Sequence, residues 1–162
     1  MVRRPLLALS IAASLTTSLS VAAPPEAIRY ELEPESWFGE ICELCDCPDS
    51  VAGLRGTFLL LPREENDGFR IFDVLNVEWE TGVQSKKVAV TGLGTFSQGG
   101  PAGRRQLLEL DLQLGEEEMH FTSGPIEAKV DYPRLAIRVE TNLKPVCRDT
   151  VLFVIGRPES PD

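Results

Sequence analysis

Apolar and polar side chains alternate along most of this chain, and this period of two constrains the fold more than any other feature. From Leu108 to Leu114 every second residue is leucine, and the residues between them are acids or amides. Leucine and glutamate favour helices in isolation. Strict alternation, however, brings all the leucines to the same face only if the segment is a strand. The sequence therefore predicts a β-strand over 105–114 rather than a helix.

The same alternation recurs in segments that are separated by glycine, proline and Asp-Gly turns, and no segment shows a clear period of 3.6 residues. We count about eight strands, at 28–32, 54–61, 69–80, 86–96, 105–114, 119–122, 134–141 and 150–155. Regularly spaced short strands of this kind are typical of all-β domains. The predicted fold is an antiparallel meander that forms either a closed barrel or a two-layer sandwich.

Local irregularities add detail to this prediction. Asp73 falls on the apolar face of its strand, which predicts a bulge or bend there. Gly92 and Gly94 share one face of the next strand, where they would either leave a shallow space or let a curved sheet close. The segment from Ser36 to Gly53 is predicted to be a loop, and 125–133 a loop with room for one helical turn.

The first 23 residues have the order of a secretory signal peptide. A basic start at residues 3 and 4 is followed by an apolar stretch over 6–19 and by small residues up to Ala23. Serines and threonines interrupt the apolar stretch, so it is a poor match to the roughly 20 apolar residues of a membrane span. We expect an exported protein, periplasmic or extracellular, with one domain over 24–156 and a disordered tail over 157–162.

Four cysteines, Cys42, Cys45, Cys47 and Cys147, predict two disulfide bridges in an exported chain. Three connectivities are possible. A Cys45–Cys47 bridge would close a small, strained ring, so the pairing of Cys42 with Cys147 ranks last. In the others Cys147 closes a loop of about 100 residues, which the chain-entropy estimate values at roughly 4.7 kcal/mol as an upper figure. A four-thiolate zinc site is the rival, but export and the single Cys-x-x-Cys argue against it, and we predict no metal.

Charge excludes several partners. The chain has a formal net charge of −9, and removal of the predicted signal peptide would also remove Arg3 and Arg4. Proteins bind nucleic acids and anionic membrane surfaces through basic patches. The lysines and arginines of such a patch displace the counterions of the phosphates. We therefore expect neither as a partner, and we expect no cofactor.

No pattern in the sequence predicts an enzyme. His120 is the only histidine, it lies between Met119 and Phe121 in a strand, and alternation places it on the solvated face. No Gly-x-Ser-x-Gly motif occurs. The acidic turns at 64–68 and 116–118 lack the spaced pattern of a calcium loop. We predict no catalytic residues.

Two functions remain open. Barrels of about eight strands hold one small ligand in their interior, and the first hypothesis is a barrel that binds a small apolar, lipid-like ligand there. Its lining residues would be aromatic side chains and the paired glycines: Tyr30, Phe58, Trp79, Gly92, Gly94, Phe96 and Phe121. Aromatic residues more often simply form the core. The second hypothesis is therefore a structural or interaction module with a filled core, whose partner is another envelope protein.

Two resemblances bear on these hypotheses. The first covers nearly the whole mature chain and is carried by Tyr30-Glu31-Leu32, Cys42, Cys45, Cys47-Pro48, Gly56-Thr57-Phe58-Leu59-Leu60, His120-Phe121-x-Ser123-Gly124 and Cys147. In this order these pieces resemble uncharacterised exported proteins of environmental bacteria, which implies no activity.

The second resemblance is carried by Tyr30-x-Leu32-Glu33-x-x-Ser36, Gly56-x-Phe58 and Tyr132-Pro133-x-Leu135. These pieces are similar to the YceI-like family of periplasmic, lipocalin-like barrels, and the resemblance implies an isoprenoid lipid in the lumen. The chain departs from that family at Glu35, where the family has histidine, and in its cysteine set.

Overall fold

The structure is a computed structural model that describes residues 26–42, 46, 48–63, 65–83, 86–100, 104–141 and 149–160. Within these ranges the chain forms ten strands and no helix. The strands are β1 (Ile28–Leu32), β2 (Trp37–Ile41), β3 (Ser50–Pro62), β4 (Phe69–Val83), β5 (Lys86–Gly99), β6 (Arg105–Leu114), β7 (Glu117–Thr122), β8 (Ile126–Glu127), β9 (Leu135–Thr141) and β10 (Asp149–Pro158). The predicted all-β class and the strand over 105–114 are confirmed. The predicted signal peptide lies outside the described residues.

The strands pair antiparallel and their hydrogen bonds close a ring. β3 to β7 form a meander in which each strand pairs with the next. β7 then pairs with β9, and β9 pairs with β10. β10 pairs with β2, which pairs with β3. The last strand is thus joined to the first part of the chain.

β1 and β2 lie end to end between β3 and β10, and together they act as one interrupted strand. Ser36 joins the two pieces. Its buried hydroxyl donates to the Ile155 carbonyl at 2.9 Å and accepts from the Ile155 N–H at 3.0 Å, while its carbonyl accepts from the Leu54 N–H. The prediction of a loop is wrong for Trp37–Ile41, which is a strand because it is paired along both of its edges. It is also wrong for residues 50–53, which pair with β2 and form the start of β3.

A bulge in β4 changes which side chains face inward. The register with β5 shifts between Val74 and Val77, and Asn76 has a φ of 47°. Even-numbered residues such as Val74 are buried before the bulge, and odd-numbered residues such as Val77 are buried after it. The predicted bulge therefore exists but lies beyond Asp73, which lies outside the core and pairs with Arg63 at 2.9 Å.

The last strand is longer than predicted. β10 extends to Pro158, past the predicted domain boundary at residue 156, because Arg157 and Pro158 pair with Glu31 and Tyr30 of β1. A short strand, β8, occupies part of the predicted 125–133 loop and pairs with β6.

Apolar side chains fill the interior of the ring. Tyr30 stacks on Phe58 at 5.3 Å between ring centroids, and Phe58 meets the edge of Trp79 at 5.9 Å. Leucines of β6 and branched residues of β9 and β10 complete the core. The ring therefore encloses a packed interior, and open space lies towards its two ends.

Candidate functional site

A half-enclosed cavity of about 580 Å³ lies at the end of the ring where β2 turns into β3. Seven strands, β2 to β7 and β10, contribute residues to its lining. Its lining residues are Phe38, Gly39, Glu40, Ser50, Val51, Ala52, Gly82, Val88, Leu114, Glu117, Met119 and Thr150. We call this space the mouth cavity.

The floor of the mouth cavity is apolar. Phe38, Leu114 and Met119 are partly buried and pack against the core. The Phe38 ring also meets the edge of the buried Phe121 ring at 6.4 Å between centroids. The floor is therefore a continuation of the core that remains open to a ligand.

Small residues at the strand ends explain why the cavity stays open. Ala52 lies opposite Phe38 in the β2–β3 pair, and Ser50 and Thr150 both lie opposite Glu40. One layer deeper the inward positions carry large side chains such as Leu54, which is almost fully buried. The last layer thus does not fill the width of the ring.

The rim of the mouth cavity is acidic. Glu40 and Glu117 line it, and Asp49 lies next to it, where its carboxylate accepts a hydrogen bond from the Cys42 N–H at 2.9 Å. No arginine or lysine is among the described lining residues. The rim therefore favours neutral or cationic groups over anions.

Two buried polar atoms of β4 have no hydrogen-bond partner among the described residues. They are Nε1 of Trp79 and Oγ1 of Thr81. Thr81 pairs with Val88, which lines the cavity. Buried polar groups in proteins almost always have a partner, so a water or a ligand group would lower the free energy of this region.

Cys42, the one cysteine of the predicted cluster that the structure describes, lies at the same end of the ring. Cys42 directly follows β2 and is not a free thiol. Cys45, Cys47 and Cys147 lie outside the described residues, so the bridges remain a prediction. Ile41 of β2 pairs with Asp149 of β10. Ile41 directly precedes Cys42, and Asp149 follows Cys147 by two residues in the sequence. A bridge to Cys147 requires such a proximity of these two strand ends.

The predicted lining residues lie deeper than the mouth cavity. Tyr30, Phe58, Trp79, Phe96 and Phe121 are all at most 4% exposed, and each packs in the core. None of them lines the mouth cavity. The predicted aromatic set thus forms the layers beneath the cavity floor.

Gly92 and Gly94 lie where β5 runs closest to β6. A Cβ added at Gly92 would collide with the carbonyl oxygen of Asp111, and one at Gly94 with that of Glu109. Of the two roles considered for these glycines, close approach in a curved sheet is the one that these contacts favour.

His120 lies on the outer face of β7. Its Nδ1 is 2.7 Å from Oδ1 of Asp111 on β6, and its side chain is 43% exposed. The described residues contain no group of three or more His, Cys, Asp or Glu side chains that could hold a metal ion. They also contain no helix with the length and apolar character to cross a membrane.

The sequence did not predict most of the residues that line the mouth cavity, among them Ala52, Val88, Leu114 and Met119. Phe38, Ala52, Val88, Leu114 and Met119 line the cavity, and alternation could have assigned most of them to the inner face. The strand registers determine which inward-facing residues come together at one end of the ring, and the registers cannot be read from the sequence.

The chain matches no protein-family model, no curated protein and no solved structure.

Proposed function

We propose that this protein is an exported, non-enzymatic β domain that binds a small apolar or amphipathic ligand in the mouth cavity. The ligand would enter from the end at which Cys42 lies. Its apolar part would rest on Phe38, Leu114 and Met119, and its polar part would remain near the rim.

One observation carries this proposal: an open space of about 580 Å³ lies directly on apolar side chains that belong to the core. This volume is within the range of small-molecule sites, which are mostly apolar with a few polar groups. The filled interior argues against a ligand at the centre of the ring, so the proposed place differs from the lumen that the YceI-like resemblance implies.

The acidic rim narrows the class of ligand. Glu40 and Glu117 would repel a fatty acid carboxylate at the mouth and would tolerate a hydroxyl, an amide or an ammonium group. The Thr81 hydroxyl, which has no partner among the described residues, would accept or donate one hydrogen bond. A neutral or cationic lipid-like molecule therefore fits better than an anionic one.

The experiment is a titration with the neutral apolar dye N-phenyl-1-naphthylamine, whose fluorescence rises in apolar sites. We expect saturable binding with one site per chain. Ala52→Phe places a large ring in the mouth cavity, where it would occupy the space of the dye. We expect this variant to bind the dye at least about tenfold more weakly, because the dye would bury less apolar surface.

Ala89→Phe is the matched control, because Ala89 is exposed on the outer face of β5 and the same atoms are added there. We expect dye binding to be unchanged in this variant. Equal binding by the wild type and both variants would place the dye elsewhere and contradict the proposal. Native mass spectrometry of protein from its own host would then identify a co-purified ligand by mass.

The filled interior also favours the second hypothesis, an envelope or extracellular interaction module whose partner is another envelope protein. Val51 is 60% exposed at the edge of the mouth cavity, and such a residue would suit a protein partner. If no apolar compound binds and native mass spectrometry shows no bound ligand, this alternative replaces the first.

A further inference from the structure

The opposite end of the ring carries a second and chemically different cavity, of about 640 Å³. Its lining residues are Arg70, Gln98, Arg104, Ala128, Lys129, Val130, Asp131 and Tyr132. Three cations thus meet there against one carboxylate, in a chain whose net charge is −9. We call this space the basal cavity.

The three cations of the basal cavity differ from most other described arginines and lysines because they form no ion pair with a described carboxylate. Twelve arginines and lysines lie in the described ranges. Six of them form ion pairs with carboxylates: Arg29, Arg63, Lys87, Arg134, Arg138 and Arg157. Arg70, Arg104 and Lys129 form no such pair within the described part of the chain. An acidic protein thus gathers at one place three cations that form no ion pair with a described carboxylate.

A polar layer closes the interior at this end. Arg70, Gln98, Gln106 and Ile126 are successive cross-strand neighbours on β4, β5, β6 and β8. Directly beneath them Phe96 is fully buried in the core. The apolar core therefore stops at one layer, and the next layer presents amides and a guanidinium.

Gln106 supplies an independent observation. Its side chain is 0% exposed, and neither its Nε2 nor its Oε1 has a hydrogen-bond partner among the described residues. It lies directly opposite Gln98, which lines the basal cavity. A buried amide without a partner is costly, and a polar molecule that reached past Gln98 would give it one.

Arg70 is held in place for such a role. Its guanidinium lies 4.7 Å from the centre of the Tyr132 ring, and that ring packs on Phe72 at 5.8 Å between centroids. Stacking on an aromatic face fixes the plane of a guanidinium and leaves its N–H groups free to bind an oxyanion.

We infer that the basal cavity binds a small molecule through an oxyanion group, a phosphate or a carboxylate, that Arg70, Arg104 and Lys129 hold. Both oxyanions form strong charge-assisted hydrogen bonds with guanidinium and ammonium groups. A phosphate could also belong to a lipid headgroup, but the acidity of the whole chain opposes its approach to an anionic membrane. The free small molecule is therefore the favoured source. This inference does not depend on the proposed function of the mouth cavity.

The test is calorimetric titration with inorganic phosphate in low-salt buffer. We expect saturable binding to the wild type. The double variant Arg104→Gln/Lys129→Gln should weaken it by about tenfold or more, because two charge-assisted hydrogen bonds are lost.

The matched control is Arg55→Gln/Lys86→Gln. These residues are also exposed cations without ion pairs in the described ranges, they lie outside the basal cavity, and their loss changes the net charge equally. We expect at most about a twofold change from this general electrostatic effect. Circular dichroism spectra and melting temperatures would verify that both double variants fold.

Three results would overturn the inference. The first is that the wild type binds neither free phosphate nor vesicles that contain an anionic phospholipid, and the second is equal weakening in the two double variants. The third is binding to vesicles that contain an anionic phospholipid without binding to free phosphate, which would make the lipid headgroup the source.

Discussion

The two ends of the strand ring differ in the residues that lie beyond the last apolar layer. At the mouth cavity these residues are small or apolar, such as Ala52 and Met119, with acids only at the rim. At the basal cavity they are the amides of Gln98 and Gln106 and the guanidinium of Arg70. β4, β5 and β6 contribute to both ends, with the same alternation.

This difference shows that a single filled core can support two cavities of opposite chemistry. A mutation at one end should change that end alone, because the packed aromatic layers between them include Phe58, Trp79 and Phe96, all nearly inaccessible to solvent. Sites that share no partners and lie far apart behave additively. A change at one end can therefore be tested while the other end serves as the reference.

The largest expected effect is the loss of the predicted disulfide bridge to Cys147. In Cys147→Ser we expect the free energy of unfolding to fall by up to roughly 4.7 kcal/mol, because the unfolded chain gains the entropy that a loop of about 100 residues had lost. Urea unfolding followed by tryptophan fluorescence measures this difference.

Reductant supplies the control for that prediction. Under reducing conditions the wild type and Cys147→Ser should unfold at nearly the same urea concentration. If the oxidised wild type also matches the variant, or if four thiols react in the denatured, unreduced protein, Cys147 is not bridged.

At the basal end, Tyr30 gives the next largest effect. Its hydroxyl donates to the carbonyl of Pro133 at 2.9 Å, so Tyr30→Phe should lower the free energy of unfolding by about 1 kcal/mol at pH 7. Burial of the hydroxyl raises the pKa of Tyr30 above its ordinary value of 10.0, and the neighbouring Tyr132 adds to this.

The direction of this pKa shift predicts a pH dependence. A raised pKa in the folded state means that the stability contribution is complete below about pH 10 and is lost as the pH rises above it. The wild type should then lose up to about 1.4 kcal/mol per pH unit more than Tyr30→Phe. Urea unfolding of both proteins at about pH 8 and about pH 11 tests this, and parallel losses in the two proteins would contradict it.

Replacing the buried amide at the basal end should have a smaller effect of the opposite sign. Gln106→Leu removes two polar atoms that have no partner in the described residues, so we expect no loss of stability and a gain of up to about 1 kcal/mol. The same variant should bind phosphate more weakly while dye binding at the mouth cavity is unchanged.

Gln113→Leu is the control on the same strand, because its side chain donates to the Gly115 carbonyl at 3.0 Å on the surface. It should show neither a gain in stability nor a change in phosphate binding. A loss of more than about 1 kcal/mol in Gln106→Leu would show that the amide has a partner after all.

Alternation alone was sufficient to predict most of the strands. The strand at 105–114 was predicted correctly because its period of two is unbroken, and the inward amides at Gln98 and Gln106 lie in phase with Phe96 and Leu108. Those two amides could therefore have been recognised as polar residues on a core face from the sequence.

Features that depend on pairing were not predictable in the same way. β2 contains Gly39 and adjoins the cysteine cluster, so its sequence is typical of a loop, and only its pairing with β3 and β10 makes it a strand. The bulge at Asn76 reverses the faces of β4, and only its presence was predicted. The mouth cavity lies where the ends of several strands come together, and the strand registers determine which residues lie there.

The most direct test of the central claim uses the side chain of Met119 as a reporter. The chain has two methionines, and Met119 is the one that lines the mouth cavity. In protein labelled with ¹³C at the methionine methyl groups, Met119→Leu assigns its signal. We predict that N-phenyl-1-naphthylamine, or a neutral lipid from the host, shifts this signal in a saturable manner, and that phosphate leaves it unchanged. A Met119 signal that stays fixed while the apolar compound binds would contradict the claim that the ligand occupies the mouth of the ring.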